Sequence, residues 1–248
     1  EAGSDAGAMQ LTASLKSNGY MLNGKKTLIS NAGLADFYTV FARTAEGSRG
    51  ITAFIVEASD AGLRIHPQDL MAVHPIGAME FDDCILPADR RLGTEGDGLK
   101  IAYSTLDVFR SSVAAAGVGM AERAFQEAVN FARNRKQFGK PLSEFQAIQF
   151  KIAEMAELLQ ASKLLVWEAA LKKDQGAPRI TLESAIAKSF ATEAAQKIID
   201  QSLQIHGGIG LIKGSITERL YRDIRALRIY EGTTEILKSI IAQQIFKE

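Results

Sequence analysis

The residue types best suited to chemistry lie near the end of the chain, at residues 229–235, Ile-Tyr-Glu-Gly-Thr-Thr-Glu. Glu231 stands between Tyr230 and Gly232, shortly before an apolar segment, residues 236–246, that is predicted to be helical. This order places a carboxylate at the entrance of a helix, beside a glycine that lets a ligand approach the backbone.

Two opposing effects are expected to act on the pKa of Glu231. The dipole of the following helix favours the ionised carboxylate, and burial beside Tyr230 favours the neutral acid. A carboxyl group balanced in this way can have its pKa raised from about 4.3 toward the range of a general base. Thr233 or Thr234 would be the N-cap of the helix. The alternative is a glutamate that only caps a surface helix, and the stretch by itself leaves both open.

Residues 134–139, Asn-Arg-Lys-Gln-Phe-Gly, follow a long predicted helix and form a second candidate site. The planar guanidinium of Arg135, next to a turn that contains glycine, can form paired charge-assisted hydrogen bonds with a phosphate. The alternative is a basic residue that only complements the negative end of the helix dipole.

Two further clusters combine polar side chains with close backbone approach. Residues 204–210, Gln-Ile-His-Gly-Gly-Ile-Gly, can admit a flat or phosphorylated ligand, although they follow no strand and so lack the Rossmann pattern. In the alternative, Gly207 only caps a helix and His206 is a packed side chain. Asp107 and Arg110 share one helix face and form either a structural pair or a contact to a polar ligand.

The composition excludes several function classes. The 248 residues contain 29 Lys and Arg against 29 Asp and Glu, so the net charge is zero and electrostatic nucleic-acid binding is not expected. No apolar run is long enough to span a membrane. Cys84 is the single cysteine, which suits a reducing compartment, and the three histidines show no metal-ligand spacing. Residues 1–5 have the composition of a loop interior, so we expect the natural protein to begin earlier.

Residues 1–95 have the pattern of a β domain. Short apolar runs separated by turn residues predict many strands, as in a small sandwich or barrel. The segments 37–43 and 51–57 are two of these strands, and the largely apolar 51–57 is predicted to be central. Asn23-Gly24, between two short strand-like segments, predicts a hairpin turn.

Residues 96–248 have helical periodicity throughout. Long helices are predicted at 101–134 and 181–205, and a capping box of Ser143 and Gln146 predicts the start of another. Because the connections between these helices are short, we expect an antiparallel bundle. The change of pattern predicts two domains, with the second starting at residue 96.

The clusters and their order along the chain resemble the acyl-CoA dehydrogenase family of flavoproteins. Each signal is modest alone, but the ordered set spans essentially the whole chain and is highly specific. The signals are residues 2–5 (Ala-Gly-Ser-Asp), 23–26 (Asn-Gly-Lys-Lys), 50–54 (Gly-Ile-Thr-Ala-Phe), 135–139 (Arg-Lys-Gln-Phe-Gly), 146–150 (Gln-Ala-Ile-Gln-Phe), 207–210, 222–223 (Arg-Asp) and 229–233.

The resemblance implies an α+β fold, in which a β-barrel or sandwich-like middle domain precedes a C-terminal antiparallel four-helix bundle. It implies that FAD binds between the two domains, and that an N-terminal helical domain and the start of the β domain are missing here. It further implies a homotetramer, a dimer of dimers, that oxidises acyl-CoA in fatty acid β-oxidation and passes electrons to electron-transferring flavoprotein. We expect a bacterial cytoplasmic location, with the mitochondrial matrix as the alternative.

On this resemblance, Glu231 is the base that removes the pro-R α-proton of an acyl-CoA thioester, while a β-hydride passes to flavin N5 to give a trans-2-enoyl-CoA. The Glu231 amide and a flavin ribityl hydroxyl would stabilise the thioester oxygen. No metal is implied. The implied substrate contacts are Ser4, Asp107, Arg110, Tyr230 and Gly232. The implied FAD contacts are Ile29, Ser30, Thr233 and Glu235, together with Arg135, Gln137 and Phe138 across a subunit interface from Gln204 and Gly208.

Two positions bear directly on this assignment. Some family members have their base on the first long helix, at the position of Val108, which cannot take a proton, so Glu231 is the firmer assignment. Where the family has Trp-Ile-Thr beside the flavin, this chain has Leu28-Ile29-Ser30, which keeps a hydroxyl and loses an aromatic wall. Two other functions stay open: an acyl-CoA oxidase-like flavoenzyme, and a catalytically silent structural or binding fragment of the family.

Overall fold

The computed structural model describes residues 2–247, with Ser48 described by its backbone alone. Its contacts divide the chain into two compact units, Glu1–Thr105 and Leu106–Glu248. Each unit has a hydrophobic core of its own. The predicted domain boundary between residues 95 and 96 stays a prediction.

The first unit contains a seven-stranded sheet. Among the described strands, β1 and β3 form the one parallel pair, and the other neighbours are antiparallel. The strands are β1 (Thr12–Lys16), β2 (Gly19–Ser30), β3 (Phe37–Arg43), β4 (Ile51–Glu57), β5 (Leu63–Gln68), β6 (Ile76–Pro87) and β7 (Arg91–Leu92). Their order in the sheet is β5-β6-β2-β1-β3-β4-β7.

Alternating apolar side chains form the core of this unit. In β6, Met79 and Phe81 are buried, and the buried parity then shifts to Cys84 and Leu86. The shift coincides with a β-bulge opposite β2, because two residues of β6 face one residue of its partner. Residues Ile76–Pro87 are therefore one continuous strand with a bulge.

The hairpin predicted at Asn23-Gly24 is wrong. Both residues lie inside β2, and the reversal from β1 to β2 occurs at Ser17-Asn18. Asn23 faces the bulge in β6, where its Oδ1 accepts from the Asp83 amide at 2.9 Å and its Nδ2 donates to Asp83 Oδ1 at 2.9 Å. A partner 60 residues away therefore overrides the local turn preference of Asn-Gly.

Strand β4 is buried as expected, but the prediction that it is central is wrong. It lies between β3 and the two-residue β7, next to one edge of the sheet. A Cβ built on Gly98 would lie 2.6 Å from the carbonyl oxygen of Ile51, so the start of the following helix packs directly on β4. Phe54 and Val56 of β4 pack into the hydrophobic core of the first unit, which accounts for their burial without a central position in the sheet.

The second unit is helical. A two-stranded ribbon of β8 (Lys136–Gln137) and β9 (Lys140–Pro141) connects its first two helices. The helices are α1 (Gly98–Asn134), α2 (Gln146–Asp174), α3 (Thr181–His206), α4 (Ile216–Leu227) and α5 (Thr234–Ile245). The division between the two units falls within α1.

Small residues on α1 allow close helix packing. Ala121, Ala124 and Ala128 recur at helical spacing and are at most 1% exposed. They share a core with Met155 of α2 and Ile198 of α3. The predicted α+β class, a β domain followed by a helical domain, is confirmed.

The capping box predicted from Ser143 and Gln146 is wrong. Residues Leu142–Glu144 form a 3-10 turn, and α2 begins only at Gln146, after a Phe145 that makes no side-chain cap. The carbonyl of Ser143 instead accepts from the Gln149 side chain at 2.9 Å. The turn contains Ser143, which would have been the N-cap, so the helix starts two residues later than the box requires.

No helix within residues 2–247 is long and apolar enough to cross a membrane. The same residues contain no group of three or more His, Cys, Asp or Glu side chains placed to hold a metal ion.

Candidate functional site

Glu231 lies in the loop between α4 and α5, in an unusual backbone conformation. Its φ is 56° and that of Gly232 is 97°, so two successive residues have positive φ. A left-handed residue other than glycine costs roughly 1–2 kcal/mol, so other contacts must hold Glu231 in place. The loop then enters α5 through Thr233, whose Oγ1 accepts from the Ile236 amide at 3.4 Å and caps the helix.

Two buried cations bind the backbone carbonyl groups of Glu231 and Gly232. Arg110 of α1 donates through Nε to the Glu231 carbonyl at 3.2 Å, and it is 5% exposed. Lys188 of α3 donates through Nζ to the Gly232 carbonyl at 2.7 Å, and it is fully buried. Hydrogen bonds from charged donors are stronger than neutral ones, which offsets the cost of the backbone conformation.

The carboxyl group of Glu231 is buried with unsatisfied hydrogen-bonding capacity. Within the described residues, its Oε2 has no hydrogen-bond partner. Burial raises the pKa of Glu231, while the charges of Arg110 and Lys188 act in the opposite direction. A buried acceptor left unpaired in a native fold needs an explanation, and a group that reacts with a ligand is one.

Lys188 was missed by the sequence reasoning. Burial lowers its pKa to about 8, against the opposing effect of the Glu231 charge. It lies on α3 among buried small residues, including Ser184, Ala187 and Ala191. A lysine on the most apolar face of a long helix was the available signal, because an unpaired lysine is almost never fully buried.

Asp107 and Arg110 are both buried, but their mutual contact is weak. Arg110 Nη1 lies 4.0 Å from Asp107 Oδ1, whereas Asp107 Oδ2 accepts from Arg179 Nε and from Thr181 Oγ1 at 2.9 Å. Asp107 therefore ties α1 to the start of α3. Of the predicted substrate contacts, Gly232 lies directly against Arg110, and Tyr230 is 41% exposed beside Glu231.

A second cluster of polar side chains stabilises the start of α5. Glu193 of α3 accepts from Thr234 Oγ1 at 2.6 Å and pairs with Arg228 at 2.9 Å. Glu235, in the first turn of α5, is exposed, and its own amide and Thr233 lower its pKa. The predicted cofactor contacts Thr233 and Glu235 thus lie at the N-terminus of one helix, within four residues of Glu231.

Arg135, Gln137 and Phe138 lie on the ribbon after α1, far from Glu231. Phe138 and Gly139 both have positive φ, 51° and 79°, as in a tight hairpin turn, and Phe138 is 93% exposed. Arg110 and the end of α1 are about 36 Å apart, at 1.5 Å per helical residue. The structure therefore does not bring these three residues together with Glu231 in one chain.

The glycine loop begins where α3 ends. Gln204, in the last turn of α3, and Gly208, in the following 3-10 turn, are both exposed. Gly207, with φ 59°, is the C-cap. His206 Nδ1 lies 2.7 Å from the Ser202 carbonyl oxygen, and its ring centroid lies 4.4 Å from that of Phe131. His206 is therefore a packed side chain, which is the second of the two interpretations given for residues 204–210.

In the first unit, Ile29 and Ser30 line a groove of about 480 Å³. Apolar side chains, among them Leu28, Phe37 and Met79, form much of its wall. Ser30 Oγ lies 3.1 Å from His74 Nε2. Ser4 is exposed in a turn before the first 3-10 helix.

Two models of known protein families match this chain. The model "Acyl-CoA dehydrogenase, C-terminal domain" matches residues 96–246, and "Acyl-CoA dehydrogenase, middle domain" matches residues 1–84. The chain belongs to the acyl-CoA dehydrogenase family. It spans about 60–66% of the length of the curated family members that it matches.

Three family members illustrate the similarity. The short-chain specific acyl-CoA dehydrogenase of Megasphaera elsdenii is 44% identical over 95% of this chain and 63% of its own length. The caffeyl-CoA reductase-Etf complex subunit CarC of Acetobacterium woodii is 41% identical over 100% of this chain and 66% of its own. The solved structure of butyryl-CoA dehydrogenase from Megasphaera elsdenii superposes with a TM-score of 0.96 at 40% identity, covering 99% of this chain and 65% of that one.

Proposed function

We propose that the protein catalyses the FAD-dependent α,β-dehydrogenation of an acyl-CoA thioester, with Glu231 as the base. The observation that supports this most directly is the buried, unpaired Oε2 of Glu231 in a strained loop held by two cations. The names of the similar proteins, a short-chain specific acyl-CoA dehydrogenase and a butyryl-CoA dehydrogenase, support a short acyl chain.

In the proposed reaction, Glu231 removes the proton on the carbon next to the thioester carbonyl. The α C–H bond breaks, an O–H bond forms on Glu231, and negative charge develops on the thioester oxygen. We assign the Glu231 amide to that oxygen, since a donor fixed by the loop needs no reorganisation during reaction. Gly232, without a side chain, would leave room for the thioester beside the carboxyl group.

Taken separately, residues of each unit fit a part of FAD. The largely apolar groove at Ile29 and Ser30 has the volume of a small-molecule site, and the hydroxyl of Ser30 could orient a flat ring. Thr233 and Glu235 would lie near the adenosine, and Arg135 would pair with the diphosphate. When bound, the flavin would accept the hydride equivalent that leaves the β-carbon.

The proposed assembly is a homotetramer. Because about 36 Å of helix separates Arg110 from the ribbon, we assign the Arg135, Gln137 and Phe138 contacts to the FAD of another subunit, facing Gln204 and Gly208. We propose electron-transferring flavoprotein as the electron acceptor, and the Etf complex named for the Acetobacterium relative supports this choice.

Replacing Glu231 by Gln tests the proposal. The FAD-loaded Glu231→Gln protein should keep its flavin, but anaerobic flavin bleaching by butyryl-CoA should slow by about two to four powers of ten, the usual contribution of a general base. Glu154→Gln, an exposed change of the same kind on α2, should bleach normally. Normal bleaching in Glu231→Gln would refute the assignment of the base.

A second candidate function is the reverse reaction, reduction of a 2-enoyl-CoA, which the Acetobacterium reductase subunit favours. Here Glu231 would donate its proton to the α-carbon. Because burial raises the pKa of Glu231, the acid form persists to higher pH, which suits this direction. Oxidation should speed up as pH rises through this pKa and reduction should slow down, and the ratio of the two rates at one fixed pH, measured with butyryl-CoA and crotonyl-CoA, identifies the preferred direction.

A further inference from the structure

The loop that holds Glu231 depends on a lysine that comes from a different helix and has no role in the proposed chemistry. Lys188 is fully buried on α3, and its Nζ donates to the Gly232 carbonyl at 2.7 Å. A surface lysine would reach water at no cost, so a buried ammonium that binds one carbonyl needs further compensation. The nearby carboxylate of Glu231 provides it.

We propose that Lys188 is a positioning residue for Glu231, holding the Gly232 carbonyl and placing a fixed positive charge near the carboxylate. This inference rests on the proposed role of Glu231. Arg110 binds the preceding carbonyl, so cations from α1 and α3 hold two successive peptide groups of the strained loop. These two contacts fix the backbone from which the Glu231 side chain projects.

The charges that act on this pair come from every element packed against it. Arg110 and Lys188 both favour the ionised form of Glu231 and so oppose the effect of burial on its pKa. These charged and titratable groups are Arg110 on α1, Lys188 and Glu193 on α3, Tyr230 in the loop and Glu235 on α5. Loss of Lys188 therefore removes one of two cations that stabilise the ionised base.

The test replaces Lys188 by Met and follows Glu231 directly. Carbon-13 NMR of the carboxyl group, assigned by its loss in Glu231→Gln, should show a higher Glu231 pKa in Lys188→Met than in the wild type. The bleaching rate near pH 7 should fall, by up to about tenfold for a shift of one pKa unit, the low end of the effect of one nearby opposite charge, and should recover as pH rises. Lys197→Met, the same change at an exposed position of α3, should alter neither readout.

A purely structural role predicts a different result. Flavin content and rate would then fall by the same factor at every pH with the Glu231 titration unchanged, and this result would overturn the proposal. If Lys188→Met does not fold, nitrogen-15 NMR of the Lys188 ammonium in Glu231→Gln replaces it. Its pKa, about 8 in the wild type, should drop further when the carboxylate is removed, and an unchanged value would also overturn the proposal.

Failure of the proposed function gives a third, separate pattern. If Glu231→Gln bleaches normally while Lys188 and Glu231 still titrate as a coupled pair, the positioning contact stands and the assignment of the base is lost. The NMR titrations need no turnover, so they distinguish the two proposals.

Discussion

Replacing Gly232 by Ala should destabilise the helical unit by an amount that separates into two contributions. The first is the backbone, because φ at Gly232 is 97° and an L-residue in that region costs roughly 1–2 kcal/mol. The second is packing, because the new Cβ would lie 3.3 Å from Cδ2 of Leu237, a fully buried side chain of α5. Since this methyl group ends a flexible side chain, its displacement costs about 1 kcal/mol.

The chain offers a matched control for the backbone contribution. Gly214, in the turn before α4, has φ 92°, and a Cβ there would meet nothing within 4 Å. Gly214→Ala should therefore cost about 1–2 kcal/mol and Gly232→Ala about 2–3 kcal/mol. The difference between the two variants isolates the contact with Leu237.

Urea unfolding followed by far-ultraviolet circular dichroism measures this difference, because the described helices lie almost entirely in the second unit. Equal losses in the two variants would show that Leu237 moves aside freely. A Gly232→Ala protein as stable as the wild type would refute the reasoning altogether, because it would mean that the strained loop is not fixed in solution.

Two further predictions follow from the same contacts. Arg135→Ala should weaken FAD retention and subunit assembly, measured by flavin absorbance and by elution volume in gel filtration. Arg133→Ala, a change at an exposed position nearby on α1, should affect neither. Equal flavin content in the two variants would count against the diphosphate contact. Asp107→Ala should lower the free energy of unfolding by roughly 2–3 kcal/mol. Breaking a fully buried ion pair costs about 3–5 kcal/mol, and the loss is smaller here because Arg179 is half exposed. Arg179→Ala should cost less than Asp107→Ala, since the carboxylate keeps Thr181 as a donor, and the reverse order would contradict this account.

The parts of the fold that follow from local pattern could be predicted from the sequence. The segments 37–43 and 51–57 are β3 and β4 with the expected bounds, and the third long helix was placed to within one residue of its end. Thr233 was one of two expected caps for the last helix and makes the bond. In each case the deciding residues lie within a few positions of one another, so period and capping chemistry are sufficient.

Apart from the Ser143 capping box, which a local 3-10 turn replaces, the errors concern residues whose partners are distant in sequence. Asn23 is fixed by Asp83 rather than by its own turn preference, and β4 is buried although it lies next to one edge of the sheet. Lys188 was missed for the same reason, because its contact with Gly232 joins residues 44 positions apart. A single sequence contains no record of such pairs, and only the charged residue on an apolar helix face indicated this one.

The charges around Glu231 suggest why a proton can move there at moderate cost. Before reaction, the carboxylates of Asp107 and Glu231 lie among three cations, which are Arg110, Lys188 and the more exposed Arg179 that pairs with Asp107. In the proposed reaction, Glu231 would take a proton, and the net charge around it would rise by one at the moment when negative charge develops on the thioester oxygen. Because Arg110 and Lys188 are fixed by carbonyl bonds before the reaction starts, their field needs no reorganisation, which is the condition under which buried charges lower a barrier most.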